Sequence, residues 1–161
     1  MSVACLAAGP PAPVPDSPVF PKKTVAGLSN LFAQYACDRE RLSSVPAPDP
    51  ATLAEFPEYR DQIEARAARG TDFACRYAIV QWGCGSACQT GVAVDLIDGA
   101  IQTLPTSEWG RLYRADSRLL IQNPPSEKPE ENERPEYGYP AYYLFSGAGF
   151  VLLHDTRRPA E

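Results

Sequence analysis

Apolar positions change their period twice along the chain, and the changes divide it into three stretches. Residues 1–23 are proline-rich with no periodic pattern, which predicts an extended leader. From residue 24, Val25, Leu28, Leu31, Phe32 and Tyr35 recur near helical spacing, predicting a short amphipathic helix that ends near Cys37. Asp49 before Pro50 is a helix-start signal, since a carboxylate caps free backbone N–H groups and proline fits the first helical position. A better helix is predicted from Pro57 through Arg69, stopped by Gly70, with Phe56, Tyr59, Ile63 and Ala67 as its buried edge.

At Phe73 the period becomes two. Phe73 to Trp82 reads as a strand apolar on both faces, which suits a strand covered from both sides. Gly91 to Ile97 and Ala100 to Leu104 flank Asp98-Gly99, a primed-turn hairpin signal. Ser117 to Asn123, Tyr139 to Phe145 and Phe150 to His154 complete six strands, and the acidic, proline-rich segment 122–140 reads as an exposed loop. Strands that follow one another without intervening helices predict an antiparallel meander, not a parallel nucleotide-binding sheet. The expected fold is therefore α+β, a meander of five to six strands with N-terminal helices packed on one face. The expected organisation is a leader over 1–23 and one disulfide-stabilised domain over 24–161.

A formal charge of −5 with scattered Lys and Arg provides no concentrated positive potential, so nucleic acid is an unexpected partner. No apolar run approaches the ~20 residues of a membrane span. The first residues, with Ala-Ala-Gly ahead of a proline-rich start, look like the tail of a secretion signal, which would put Cys5 in a discarded or anchoring part. The expectation is a periplasmic or secreted protein.

The other cysteines fit that compartment. Cys84-Gly-Ser-Ala-Cys88 can curve tightly enough for a local disulfide, which leaves Cys37 and Cys75 to pair. Four thiols permit three connectivities, of which this is the favoured one. A redox site would need a reactive thiolate at a helix start, commonly Cys-x-x-Cys, whereas this spacing is one residue longer and sits between strands. A zinc site has only His154 to offer as imidazole, and a cysteine hydrolase would have to recruit Cys84, His154 and Asp95 or Asp155 without any spacing that selects them. Asp95, Asp98 and Asp116 do not form a calcium-loop pattern, and Gly83, Gly85 and Gly91 read as turn glycines instead of a phosphate cradle. Neither a metal nor a cofactor is expected.

Trp82-Gly-Cys-Gly-Ser-Ala-Cys-Gln89, with Val94-Asp-Leu-Ile-Asp-Gly99 and Tyr113-Arg-Ala-Asp-Ser-Arg-Leu-Leu-Ile-Gln-Asn-Pro124, resembles small exported bacterial proteins of uncharacterised function. These share a Trp-x-Cys-Gly-x-x-Cys turn and an Asp-Ser-Arg-Leu-Leu strand. The resemblance spans roughly residues 70–124, implies an envelope protein with a disulfide-bearing β core, and carries over no catalytic residue. Immunity proteins that neutralise cell-wall-attacking toxins share the size, acidity and location, by analogy alone. The functional expectation is a non-enzymatic periplasmic binding protein, with an inhibitor or immunity-type protein as its most concrete form, that acts on a partner protein through Tyr137, Tyr139, Tyr142, Tyr143 and Trp109. The alternative is an envelope thiol–disulfide redox protein or cysteine-dependent enzyme using Cys84 and Cys88.

Overall fold

The computed structural model describes residues 18, 20–38, 45–132 and 139–157. Seven strands form two antiparallel sheets instead of one meander. The first sheet contains β1 (Tyr77–Gly85), β2 (Cys88–Asp95) and β3 (Ile101–Thr103). The second contains β4 (Arg111–Tyr113), β5 (Leu119–Gln122), β6 (Ala141–Phe145) and β7 (Phe150–Asp155). Helices α1 (Leu28–Gln34), α2 (Pro50–Leu53), α3 (Arg60–Ala67) and α4 (Pro129–Asn132) complete the described elements, with a 3-10 turn over Pro57–Tyr59 ahead of α3.

The core clusters show how these elements stack. Ala78 and Val80 of β1, with Val92 and Val94 of β2, pack under Leu53, Ile63 and Ala67 of α2 and α3. Tyr77, Ile79 and Ala93 face the other way, onto Leu120 and Phe145 of the second sheet. That sheet's opposite face places Leu119, Ile121 and Tyr142 against Leu28, Leu31 and Phe32 of α1. The order of layers is helices, sheet, sheet, helix, so the N-terminal helices cover both outer faces rather than one. A strand apolar on both faces is buried on both, as β1 is, because side-chain direction alternates along it.

The meander breaks after β3. Leu104 N–H donates to the Gly91 carbonyl (2.9 Å), and Ser107 exchanges two backbone hydrogen bonds with Gln89 (2.7 and 2.8 Å). The chain thus follows β2 past the end of β3 before crossing into the second layer. Two local expectations also change. Ala74 and Cys75 adopt positive φ (46° and 67°), so residues 73–76 form a tight loop closed by Phe73 and Tyr77, and the strand begins at Tyr77. At 98–99 only Gly99 has positive φ (81°), and its N–H reaches back to the Asp95 carbonyl (3.0 Å). The connection is a longer loop, since a type I′ turn needs positive φ at both central residues. The Asp49 cap is present: its carboxylate accepts from Thr52 N–H (3.1 Å), which lowers its pKa, and Pro50 opens the helix. Gly83 and Gly91 lie inside β1 and β2, not in turns.

Candidate functional site

The β1–β2 hairpin ends in an exposed tip. Its strands pair Trp82 with Thr90 and Gly83 with Gln89, then slip at the tip, where Gly85 pairs with Cys88. A Cys84–Cys88 disulfide closes this tip, with Cα atoms 5.0 Å apart. Residues 83–87 are exposed. The second disulfide, Cys37–Cys75, joins a part-exposed Cys37 to a buried Cys75. Two disulfides are compatible with an extracellular, oxidising location.

Among the described residues, the groups nominated for cysteine chemistry do not come together. His154 lies on β7 in the other sheet and stacks on Phe20, with ring centroids 5.2 Å apart. Asp95 is buried and engaged by Arg76, whose Nε donates to both carboxylate oxygens (3.1 and 3.0 Å), while Ile97 N–H donates to Oδ1 (2.8 Å). Asp155 is held by the Arg157 guanidinium (3.0 Å). The tip sulfurs, the imidazole and both carboxylates therefore belong to separate local networks. Among the described residues no three His, Cys, Asp or Glu side chains are grouped so as to hold a metal. No helix of the described residues is long and apolar enough to cross a membrane.

The aromatic residues expected to contact a partner separate clearly. Trp109 and Tyr139 are each 42% exposed. Tyr143 is half-buried against the inter-sheet core. Tyr142 has no exposed surface: its hydroxyl donates to the Pro21 carbonyl, burial pushes its pKa up, and Phe20 packs on its ring (5.1 Å). A side chain enclosed in this way is core, and its assignment to a partner surface is corrected. Neighbours on a strand point to opposite faces, and α1 covers the face that Tyr142 takes. Tyr137 lies outside the described residues, as does Cys5.

Trp109 and Tyr139 share one internal support. The Asn123 carboxamide oxygen accepts from Ser107 Oγ (2.9 Å), Glu108 N–H (3.0 Å) and Trp109 N–H (2.8 Å). Its Nδ2 donates to the Tyr139 carbonyl (3.3 Å). Asn123 follows β5 with φ 46°, a conformation that asparagine tolerates better than most residues. In the sequence Asn123 reads only as the end of a strand, and the one hint of its role is an asparagine ahead of two prolines. Lys22 Nζ sits 4.8 Å from the Tyr139 ring centroid, a cation–π contact.

Arg111 was also missed. It bridges the sheets from β4, donating to Gln81 Oε1 (3.0 Å) and to the carbonyls of Gln89 (2.9 Å) and Pro105. Its Nε is buried with no hydrogen-bond partner, and burial depresses the guanidinium pKa to about 10. Next to this bridge a cavity of about 510 Å³ opens between the hairpin and the Trp109 loop, lined by Trp82, Gln89, Glu108 and Trp109. Trp82 also borders a recess of about 290 Å³ on the helix side, with Phe56 and Tyr59.

Comparison of the chain with protein-family models, with curated proteins and with solved structures yields no significant match.

Proposed function

We propose that the protein is a non-enzymatic binding protein of the bacterial periplasm that acts on a partner protein, in the manner of an inhibitor or immunity protein. One observation carries this reading: two exposed aromatic side chains, Trp109 and Tyr139, rise from backbone fixed by the single carboxamide of Asn123. Tryptophan and tyrosine dominate binding hot spots, and a pre-ordered anchor loses less entropy on association than a mobile one. The adjoining cavity and the Glu108 carboxylate provide a concave, acidic border beside the tryptophan.

The test is capture of partners from an envelope extract, followed by reconstitution with the purified partner. The Trp109→Ala/Tyr139→Ala double variant is expected to keep the fold, by circular dichroism, and to weaken binding at least tenfold. Equal affinity of wild type and double variant for the reconstituted partner overturns the surface.

The redox reading retains one favourable observation, the exposure of the Cys84–Cys88 bond at the hairpin tip. It requires Cys84→Ser to abolish function, whereas the binding reading expects partner affinity to survive that change.

A further inference from the structure

The outer edge of β1 is only half satisfied in its backbone hydrogen bonding. Gly91 and Asp95 of β2 direct their backbone groups to the β3 side, where Leu104 N–H donates to Gly91 (2.9 Å) and Asp95 N–H donates to Ala100 (2.8 Å). Backbone direction alternates along a strand, so Val80 and Trp82, opposite Val92 and Thr90, are the residues that bond β2, and Ile79 and Gln81 point away from the sheet. Side chains meet half of what these two residues offer. Asp72 Oδ1 accepts from Ile79 N–H (2.9 Å), and Gln62 Nε2 donates to the Gln81 carbonyl (2.9 Å). The Ile79 carbonyl and the Gln81 N–H have no partner among the described residues. Beside them a recess of about 210 Å³ opens between β1 and α3, where Gln62, Ala65, Arg66 and Arg69 line it. Of its two cations, Arg66 is paired with Asp72, whereas Arg69 is exposed and makes no ion pair among the described residues.

We propose that this edge binds an extended peptide segment that runs parallel to β1 and places an acidic side chain beside Arg69. The two free groups decide the direction. A residue of a parallel strand set opposite Val80 donates its N–H to the carbonyl before Val80, that of Ile79, and accepts from the N–H after it, that of Gln81. An antiparallel residue would exchange both bonds with Ile79 or both with Gln81, and each of these has one group already engaged. Strand addition draws affinity from main-chain bonds and specificity from side-chain pockets. A side chain opposite Val80 takes the same side of the sheet as Val80, which packs toward Ile63 and Ala67 of α3. The recess there is smaller than the ~300–1,000 Å³ of small-molecule pockets, so it suits one side chain, and its unpaired cation selects a carboxylate. These contacts include neither Trp109 nor Tyr139, so this site and the surface proposed above can fail separately.

The probe is a pool of acetylated, amidated pentapeptides with Asp fixed at the centre and the flanking positions varied among Val, Thr and Tyr. Titrated into isotope-labelled protein, members of the pool are expected to shift the Gln81 amide resonance saturably. N-methylation of the Asp in the tightest member removes the donor to Ile79 and should weaken binding about tenfold. Lys in place of that Asp, or Arg69→Gln in the protein, should weaken it about threefold. Failure of every member to move the Gln81 amide overturns the proposal. So does a loss caused by methylating the residue after the Asp and not the Asp itself, because that pattern belongs to an antiparallel strand. Equal binding of the Asp and Lys peptides overturns the acidic ligand class.

Discussion

Asn123 shows how much one residue decides on this surface. It accepts three hydrogen bonds, donates one, and adopts a backbone conformation that most side chains resist. Alanine in its place would strand the N–H groups of Glu108 and Trp109 and add strain at positive φ. These N–H groups belong to exposed residues, so their loss of an acceptor falls at the low end of the about 1–3 kcal/mol range for unsatisfied groups, and the backbone adds about 1 kcal/mol, so Asn123→Ala is expected to lower stability by about 2 kcal/mol. Urea denaturation would measure this, and a loss below about 1 kcal/mol would show that the Trp109 loop holds itself. Asn123→Gly removes the backbone strain but not the lost acceptor, so it should fall between alanine and wild type. Arg111 illustrates the opposite economy: its charge is met by neutral acceptors alone, and its depressed pKa records the burial. Such residues are hard to read in a sequence, because nothing around an arginine in Gly-Arg-Leu-Tyr or an asparagine in Gln-Asn-Pro announces a distant partner.

Elements were more legible than residues, because their signals are local. The Asp49-Pro50 cap, the helix ending before Gly70 and the alternation from Tyr77 to Trp82 all rest on neighbours a few positions apart. β4 was missed because three residues, Arg111 to Tyr113, are too short to display a period. The Asp98-Gly99 loop was half legible, since glycine at positive φ was expected but the turn type was not. Its environment adds a constraint that sequence does not show. A Cβ on Gly99 would lie 2.6 Å from the Ala47 carbonyl oxygen and 3.0 Å from the Asp49 nitrogen, while Asp49 N–H donates to the Gly99 carbonyl (2.8 Å). The loop therefore clamps the start of α2 onto the first sheet through backbone contact. Gly99→Val combines left-handed strain of about 1–2 kcal/mol with overpacking of about 1–3 kcal/mol, so a loss of about 3 kcal/mol is expected. A urea midpoint within error of wild type, at unchanged slope, would mean that the Ala47–Asp49 segment moves away at no cost.

At the scale of the whole molecule, the division into two sheets was not legible, because strands of a stacked pair and of a single meander alternate in the same way. The break depends on Ser107 pairing with Gln89, two residues whose identities favour neither arrangement. The Cys37–Cys75 bond joins layers that are far apart in sequence, closing 38 residues against 4 for Cys84–Cys88. It lies where three segments already meet: Cys37 N–H donates to the Asp116 carbonyl (3.0 Å), Cys75 N–H to Ala115 (2.8 Å) and Arg118 N–H to Tyr35 (2.9 Å). Those backbone bonds keep the junction in place when the sulfurs are removed, so the main loss is the restraint on the unfolded chain. On the loop-entropy relation that restraint amounts to about 4 kcal/mol for the longer loop and about 2 kcal/mol for the shorter. Cys37→Ser/Cys75→Ser is therefore expected to lower unfolding stability about twice as much as Cys84→Ser/Cys88→Ser, with the two sheets retained in both. Denaturation of the two variants, after non-reducing peptide mapping of the wild type, provides the comparison. A greater loss from the hairpin pair would mean that the tip disulfide, and not the layer-joining one, holds the fold, and a Cys37 peptide linked to Cys84 or Cys88 would break the premise itself.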